Sequence, residues 1–208
     1  MTLTLRYMQI SDIAPVVLID TLSFTPAWSA RTYTFEVADS NYSHMLVLEQ
    51  TTRAPERAGA LNRLLRRRGE PAGAAEIVGY AGLWVIADEG HISTIATHPL
   101  QRGRGFGRLL LAAMIAKAHS LAASYIVLEV RRSNTVAQAL YHDTGFTLAD
   151  TKKSYYQDGE DAYDMRLSLT DAHAPAVLAR CTALLARPGL NDLYTTRTKE
   201  PPAGRPLP

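Results

Sequence analysis

The chain has 208 residues, 47% hydrophobic and 20% charged, which suits one globular domain with a sizeable core. A single cysteine, Cys181, excludes an intramolecular disulfide and a cysteine-built zinc cluster, and the six histidines show no paired ligand spacing, so no metal is expected. No apolar run approaches the roughly 18 residues that span a bilayer, and the opening "MTLTLRYMQISD" lacks a basic stretch followed by an apolar one, so the expectation is a cytoplasmic protein without a membrane partner.

In chain order, "LTLRYM" reads as a first strand, and Ser11 and Asp12 can cap a helix running to about Leu22. Pro26 breaks regularity, and Ser29 can cap a second short helix to about Val37. "SHMLVLEQ" is a strand. Residues 51–75 look inserted: they hold six arginines and two glutamates, a net +4 against +2 for the whole chain, with a possible short helix over Ala58 to Arg68. "EIVGYAGLWVIA" and "HISTIAT" read as strands joined by a turn at Asp88-Glu89-Gly90. A long helix is predicted from about Arg104 to Leu121, then the strand "SYIVLEV", the helix "NTVAQALYHDTG", the strand "FTLADTKKSYY" and a last strand within "QDGEDAYDMRLSL". From Asp171 an amphipathic helix places Val177, Leu178, Cys181, Leu184 and Leu185 on one face, and Pro188-Gly189 stops it. The end, "TKEPPAGRPLP", has the composition of a disordered tail. Hairpins beside a strand–helix–strand unit imply an α/β domain with a mixed sheet over residues 1–170, followed by a C-terminal helix and tail over 171–208.

The segment "THPLQRGRGFGRLL" follows a strand and opens the long helix. A helix start presents unpaired N–H groups and a positive dipole end, and glycines let an anion approach them. Arg102 and Arg104 add charged donors, so a pyrophosphate is the simplest guest. There is no Gly-Lys-Ser/Thr for a Walker loop, and Arg108 stands where a dinucleotide fingerprint needs its third glycine. What is present is R-x-x-G-x-G, as Arg102, Gly105 and Gly107. Further on, Glu129 interrupts an otherwise apolar strand, Asn134 can cap the following helix, Tyr141 lies on that helix, and Gly145 suits its C-cap. Read alone, Glu129 can equally be a solvated edge-strand carboxylate and Tyr141 a core residue.

Together these segments resemble the GNAT superfamily of N-acetyltransferases, and within it the ribosomal-protein-alanine N-acetyltransferase (RimI) branch. The resemblance rests on R-x-x-G-x-G, on Leu128-Glu129-Val130-Arg131-Arg132-Ser133-Asn134, on Ala139-Leu140-Tyr141 with Gly145-Phe146, on "SFTPAWS" with Ala27 as an extra residue, and on "SYYQDGEDAYDM". It spans about Leu5 to Leu169 without the insert. It implies the acyl-CoA N-acyltransferase fold, a central mixed sheet flanked by helices, with acetyl-CoA as co-substrate. It further implies Glu129 as general base and Tyr141 as general acid. Arg102, Gly103, Arg104, Gly105, Phe106 and Gly107 would hold the pyrophosphate, with Asn134 also on the acetyl-CoA. Ile95, Ala96 and Thr97 would offer backbone groups to its acetyl and pantetheine portion, although many relatives have valine at Thr97. Trp28, Tyr155 and Tyr156 would flank the acceptor peptide. The implied partner is a protein N-terminus, a ribosomal one by family expectation; nucleic acid enters only as part of such a substrate.

Chemically, an α-amino group with a pKa near 7.7–8.0 must lose a proton before it attacks a thioester. Glu129 is expected to take it, its pKa raised by a partly desolvated strand, with backbone N–H groups of "STIAT" as donors to the oxyanion. Protonation of the leaving thiolate by Tyr141 is uphill by about 1.5 units from ordinary values. A lysine side chain or small amine as acceptor, or a ribosome- or RNA-binding module using the arginine cluster, are the competing readings.

Overall fold

The computed structural model describes residues 1–52 and 75–199. The predicted helix over Ala58–Arg68, its arginine cluster, and the tail beyond Lys199 lie outside the described residues. The elements are β1 (Thr2–Tyr7), α1 (Ile13–Thr21), α2 (Ala30–Ala38), β2 (Ser43–Thr51), β3 (Ala75–Ile86), β4 (Glu89–Thr97), α3 (Phe106–Ser120), β5 (Tyr125–Arg131), α4 (Thr135–Thr144), β6 (Thr147–Lys152), β7 (Ala162–Ser168), α5 (Ala174–Leu185) and β8 (Leu190–Asp192). The strands form one mixed sheet in the order β6-β7-β5-β4-β3-β2-β1-β8, with β4–β5 and β1–β8 parallel and the other pairs antiparallel. Among the described residues no helix is long and apolar enough to cross a membrane.

Two apolar layers follow from strand alternation. On one face α3 carries Leu109, Leu110, Leu111, Met114 and Ile115 fully buried, packed with Leu83, Ile126, Leu128 and, from α5, Val177 and Cys181. On the other, Ile13, Val16 and Ile19 of α1 and Tyr33 of α2 pack on Met45, Val47 and Tyr80. The amphipathic face read for α5 meets this first layer as expected, with Leu178, Leu184 and Leu185 at its margin.

Local chemistry moved several boundaries. Asp12 does not cap α1; its carboxylate takes Arg6 at 2.6 Å and the Gln9 amide at 2.8 Å instead. Ser29 does cap α2, accepting from the Thr32 amide at 3.1 Å. The β3–β4 turn is Ala87-Asp88, with Ala87 at φ 53°, so Glu89 and Gly90 already belong to β4. Gly90 is confined by packing, since a Cβ there would lie 3.3 Å from Ala118 and Ile126. The strand predicted through Tyr156 stops at Lys152 because Ser154 turns to φ 48°, its amide held by Asp161 at 3.0 Å. The segment after Pro188-Gly189 forms β8 and adds a parallel strand to β1. Of the stretch read as a disordered tail, Thr198 and Lys199 are described, and the Lys199 ammonium bonds the Ser40 and Ser43 carbonyls at 2.6 and 2.9 Å.

Candidate active site

The site begins where two parallel strands part. β4 and β5 pair only over Glu89–His91 and Tyr125–Val127. Beyond that, β4 keeps its bonds to β3 as far as Thr97, and β5 keeps its bonds to β7 as far as Arg131. A wedge-shaped gap opens between them. Alternate residues of a strand direct their N–H and C=O groups to opposite neighbours. The stretch with Ile95, Ala96 and Thr97 therefore turns unpaired backbone groups into the gap. β4 also carries an extra residue at the register shift between Gly82 and Leu83, where Ile92 and Thr94 are paired and Ser93 is not. Among the described residues the Ser93 hydroxyl oxygen is buried without a hydrogen-bond partner.

The glycine segment lies beyond the end of β4. Gly103 and Gly105 adopt φ 76° and 79°, a region costly to other residues, and an added Cβ would meet nothing within 4 Å at either. The positive φ, not internal packing, calls for glycine at both positions, and it leaves the backbone there uncovered. Gly105 is the N-cap of the 15-residue α3 and provides no side-chain cap. The first backbone bond of the helix runs from the Leu109 amide to the Gly105 carbonyl at 3.1 Å, so the first-turn amides of Phe106, Gly107 and Arg108 point outward without helical partners. The Phe106 ring is buried in the core, so only its amide can serve a ligand. Gly107 is an ordinary helical residue, and a Cβ added to it would lie 3.6 Å from Leu140, an ordinary contact. Arg104 stacks on Phe106 at 4.9 Å and bonds Gln101, while Arg102 reaches Ser23 at 3.3 Å. Asn134 is the N-cap of α4, its side-chain oxygen taking the Ala137 amide at 3.1 Å.

Glu129 lies on β5, an interior strand, which removes the edge-strand reading. Ile126, Leu128 and Val130 point into the α3 layer, so Glu129 projects from the opposite face. Its carboxylate, 12% exposed, is fully engaged: Oε2 meets His91 Nε2 at 2.8 Å and Oε1 meets Lys152 Nζ at 2.5 Å. Lys152 also holds Asp164 at 2.9 Å. Burial alone would raise the Glu129 pKa, but hydrogen bonds and charge from His91 and Lys152 outweigh it and bring it down to about 2. The raised value expected from desolvation is thus corrected: two donors converge on this carboxylate. Lys152 is itself raised, since its bonds to Glu129 and Asp164 exceed the cost of burial. Proton transfer from an α-ammonium to a carboxylate held this way is uphill.

Aromatic residues wall this cluster. Trp84 meets His91 edge-on at 5.4 Å and stacks on Trp28 at 6.4 Å. The Trp28 loop is anchored by Asp20, which is 2% exposed and accepts from the Trp28 amide at 2.6 Å, the Tyr33 hydroxyl at 2.8 Å and the Tyr80 hydroxyl. Tyr155, half exposed, lies 5.6 Å from Lys152 and 5.2 Å from Tyr156. Tyr141 is buried beside Phe146 at 5.8 Å, and burial, with the neighbouring Tyr156, pushes its hydroxyl well above the ordinary tyrosine value. Among the described residues no hydrogen bond joins Tyr141 to Glu129. The structure therefore links Trp28, Glu129 and Tyr155 in one chain of contacts. It adds His91, Lys152, Asp164 and Trp84, which sequence reading missed.

Arg131 ties the two flanking loops together. Its guanidinium bonds Asp158 and Glu160 at 2.8 and 2.7 Å, lies 3.9 Å above the Tyr156 ring, and reaches the Thr25 carbonyl at 3.1 Å. The Arg131→Ala variant is expected to raise the KM of a peptide acceptor about tenfold, the size of effect of losing a few charge-assisted bonds. Steady-state kinetics should show the KM for acetyl-CoA within about twofold of wild type, because the glycine cradle is untouched.

Comparison with known proteins agrees with this architecture. Residues 24–146, more than half of the chain, match the acetyltransferase (GNAT) family. A Bacillus subtilis protein that carries the name of a ribosomal protein bS18-alanine N-acetyltransferase is 30% identical over 167 residues, covering 80% of this chain and 95% of that one. The N-alpha-acetyltransferase RimI of Mycobacterium tuberculosis is 38% identical over 95 residues, 43% of this chain and 58% of its own length. The crystal structure of the Escherichia coli ribosomal-protein-S18-alanine N-acetyltransferase superposes with a TM-score of 0.62 at 26% identity, over 82% of this chain and 96% of that one. The wedge between β4 and β5, the uncapped glycine start of α3 and these likenesses agree: this chain belongs to the GNAT family of acetyltransferases and is an N-acetyltransferase of RimI-like sequence.

Proposed function

We propose that the protein acetylates the free α-amino group of a protein N-terminus, with an alanine-initiated ribosomal protein as the expected acceptor. One observation carries this reading: a carboxylate bonded to His91 and Lys152 at the point where β4 and β5 separate, in a chain of contacts that ends at Trp28 and Tyr155. The names of the bacterial relatives support the acceptor class.

Acetyl-CoA fits the residues present. The Gly103 and Gly105 backbone leaves room a Cβ would fill, and the first-turn amides of α3 suit a pyrophosphate, with Arg102 and Arg104 able to swing onto it. Among the described residues the Asn134 Nδ2 makes no hydrogen bond, and it and the backbone of Ile95 to Thr97 facing the gap suit the amide-bearing arm. When bound, acetyl-CoA supplies an acetyl group activated as a thioester. The chain does the rest. Glu129 draws an α-ammonium into the opening and stabilises positive charge there as its proton leaves. Aromatic rings of Trp28 and Tyr155 limit water around the amine. Backbone N–H groups of β4 facing the gap donate to the developing oxyanion. Tyr141 is the proton donor proposed toward the departing sulfur; burial keeps it neutral but raises its pKa, which makes it a weaker acid than an ordinary tyrosine.

The test is transfer to short peptides beginning with Ala, Ser, Thr, Gly or Met, beside one with a blocked N-terminus and an internal lysine, with mass spectrometry to locate the acetyl group. Modification of free α-amines, strongest for alanine, is the expected result. Modification of only the blocked peptide would replace this reading with lysine acetylation, and no transfer with acetyl-CoA still bound would replace it with a small-amine acceptor.

A further inference from the structure

The two tryptophans of the chain come from distant positions, Trp28 from the loop between α1 and α2 and Trp84 from β3, yet their rings stack at 6.4 Å with 16° between the planes. Both are only half-buried. A pair that served to fill the core would lie deeper and would need only apolar neighbours. This pair is held by two buried carboxylates instead. Asp20 of α1, 2% exposed, accepts from the Trp28 amide at 2.6 Å, and Glu36 of α2, 4% exposed, accepts from the Trp84 indole N–H at 2.8 Å. Among the described residues neither carboxylate forms an ion pair. Removing such a group from water without a cation is unfavourable, and ring stacking does not require it. What the two bonds add is a fixed position for each tryptophan.

That position is beside the site. Trp84 stands opposite His91 in the β3–β4 register, and His91 bonds Glu129 at 2.8 Å. The indole meets His91 at 5.4 Å and Tyr42 at 6.1 Å, both edge-on. On the same face of β3, Gly82 carries no side chain, and a Cβ there would lie 2.6 Å from the Ser93 hydroxyl oxygen and 2.8 Å from the Met45 sulfur. Trp84 is therefore the large β3 side chain next to the Glu129 cluster.

Resting on the reading above as an N-terminal acetyltransferase, we propose that Trp84 is a specificity-determining residue, an apolar plate for the side chain of the acceptor's first residue, and that Glu36 is a positioning residue acting through the Trp84 indole. An α-ammonium drawn to Glu129 carries that side chain one carbon away, toward the wall beside His91. A fixed indole there accommodates a small group and crowds a long one, which favours alanine over methionine. Without the Glu36 bond the indole can change rotamer, and the discrimination weakens.

The experiment measures KM and kcat for peptides beginning with Ala and with Met, at saturating acetyl-CoA, for wild type, Trp84→Leu, Glu36→Met and Glu36→Gln. Far-ultraviolet circular dichroism follows the exciton couplet of the stacked indoles, which in a chain with two tryptophans reports on this pair alone. Trp84→Leu is expected to shift the Met-to-Ala ratio of kcat/KM about tenfold toward methionine, with the KM for acetyl-CoA unchanged. Glu36→Met, which offers the indole no acceptor, is expected to raise the KM of the alanine peptide about fivefold, to move the ratio the same way and to weaken the couplet. Glu36→Gln, whose amide oxygen still accepts from the indole, is expected to restore all three. A ratio in Trp84→Leu within about twofold of wild type overturns the specificity role, and equal behaviour of Glu36→Met and Glu36→Gln overturns the positioning role. Should the variants not fold, wild-type tryptophan emission decides, read as the alanine peptide is titrated into protein saturated with coenzyme A. A saturable change supports the proposal, and unchanged emission while calorimetry shows the peptide bound overturns it. A wild-type protein that modifies no α-amine would instead overturn the acceptor reading, so the two failures are distinct.

Discussion

Glu129→Gln is expected to lower kcat/KM for an N-terminal peptide by about 10²- to 10³-fold, or roughly 3–4 kcal/mol of transition-state stabilisation, with acetyl-CoA affinity unchanged. The amide keeps the shape of the side chain but removes the one charge that both His91 and Lys152 address. Lys152 retains Asp164 at 2.9 Å, so the fold should persist. The loss falls on the developing positive charge near the amine. Kinetics beside a calorimetric titration of acetyl-CoA separates the two; equal loss of cofactor affinity would mean that Glu129 shapes the cradle instead. A second readout is stability against pH. The Glu129 pKa is depressed from 4.5 to about 2 in the folded chain. Its contribution is therefore fully present above about pH 4.5 and lost as pH falls toward 2, worth on the order of 3 kcal/mol. The glutamine variant should show a shallower decline in denaturant midpoint across that window.

Tyr194→Ala should be the most destabilising single change at the far edge of the sheet. Tyr194, two residues after β8, is fully buried, its hydroxyl donates to the His44 carbonyl at 3.0 Å, and its ring lies 4.7 Å from Tyr7. Beneath both rings sits Lys117 of α3, 3% exposed, 5.1 Å from the Tyr194 ring and bonded to the Arg197 carbonyl at 2.7 Å. Burial holds the Lys117 pKa below its ordinary value, so this ammonium depends on the C-terminal segment for partners. Removing the ring leaves a large cavity and weakens that cover, at a cost of about 3–5 kcal/mol and a fall in Tm on the order of 10 °C. Tyr194→Phe, which keeps the ring and removes only the hydroxyl's bond to the His44 carbonyl, should cost about 1 kcal/mol. Because β1 is separated from β5 by β2, β3 and β4, kcat of the folded protein should stay within about twofold. A drop in kcat that tracks the loss of stability would show that the two edges of the sheet are coupled.

Several features were decided by local sequence. Two glycines before a run of helix formers mark a backbone cradle, because only glycine enters positive φ without a Cβ and only a helix start offers free amides. The apolar alternation of β5 exposes Glu129 as an anomaly, and the spacing in α5 shows which face is buried. Strand–helix order implied a mixed sheet. What the linear chain left open depends on which strands lie side by side. Glu129 is opposite Asp164 on β7, Asp164 is opposite Asp150 on β6, and Lys152 is two residues further on the same face. His91 joins from the other side only because β4 runs parallel to β5 for three residues and then leaves it. Positions 91, 129, 152 and 164 share no spacing in sequence, so their convergence, and the depressed Glu129 pKa that follows from it, existed only once the strand order was known. β8 escaped notice for a related reason: three residues carry too little alternation to be read as a strand, and it is their pairing with β1 that makes them one.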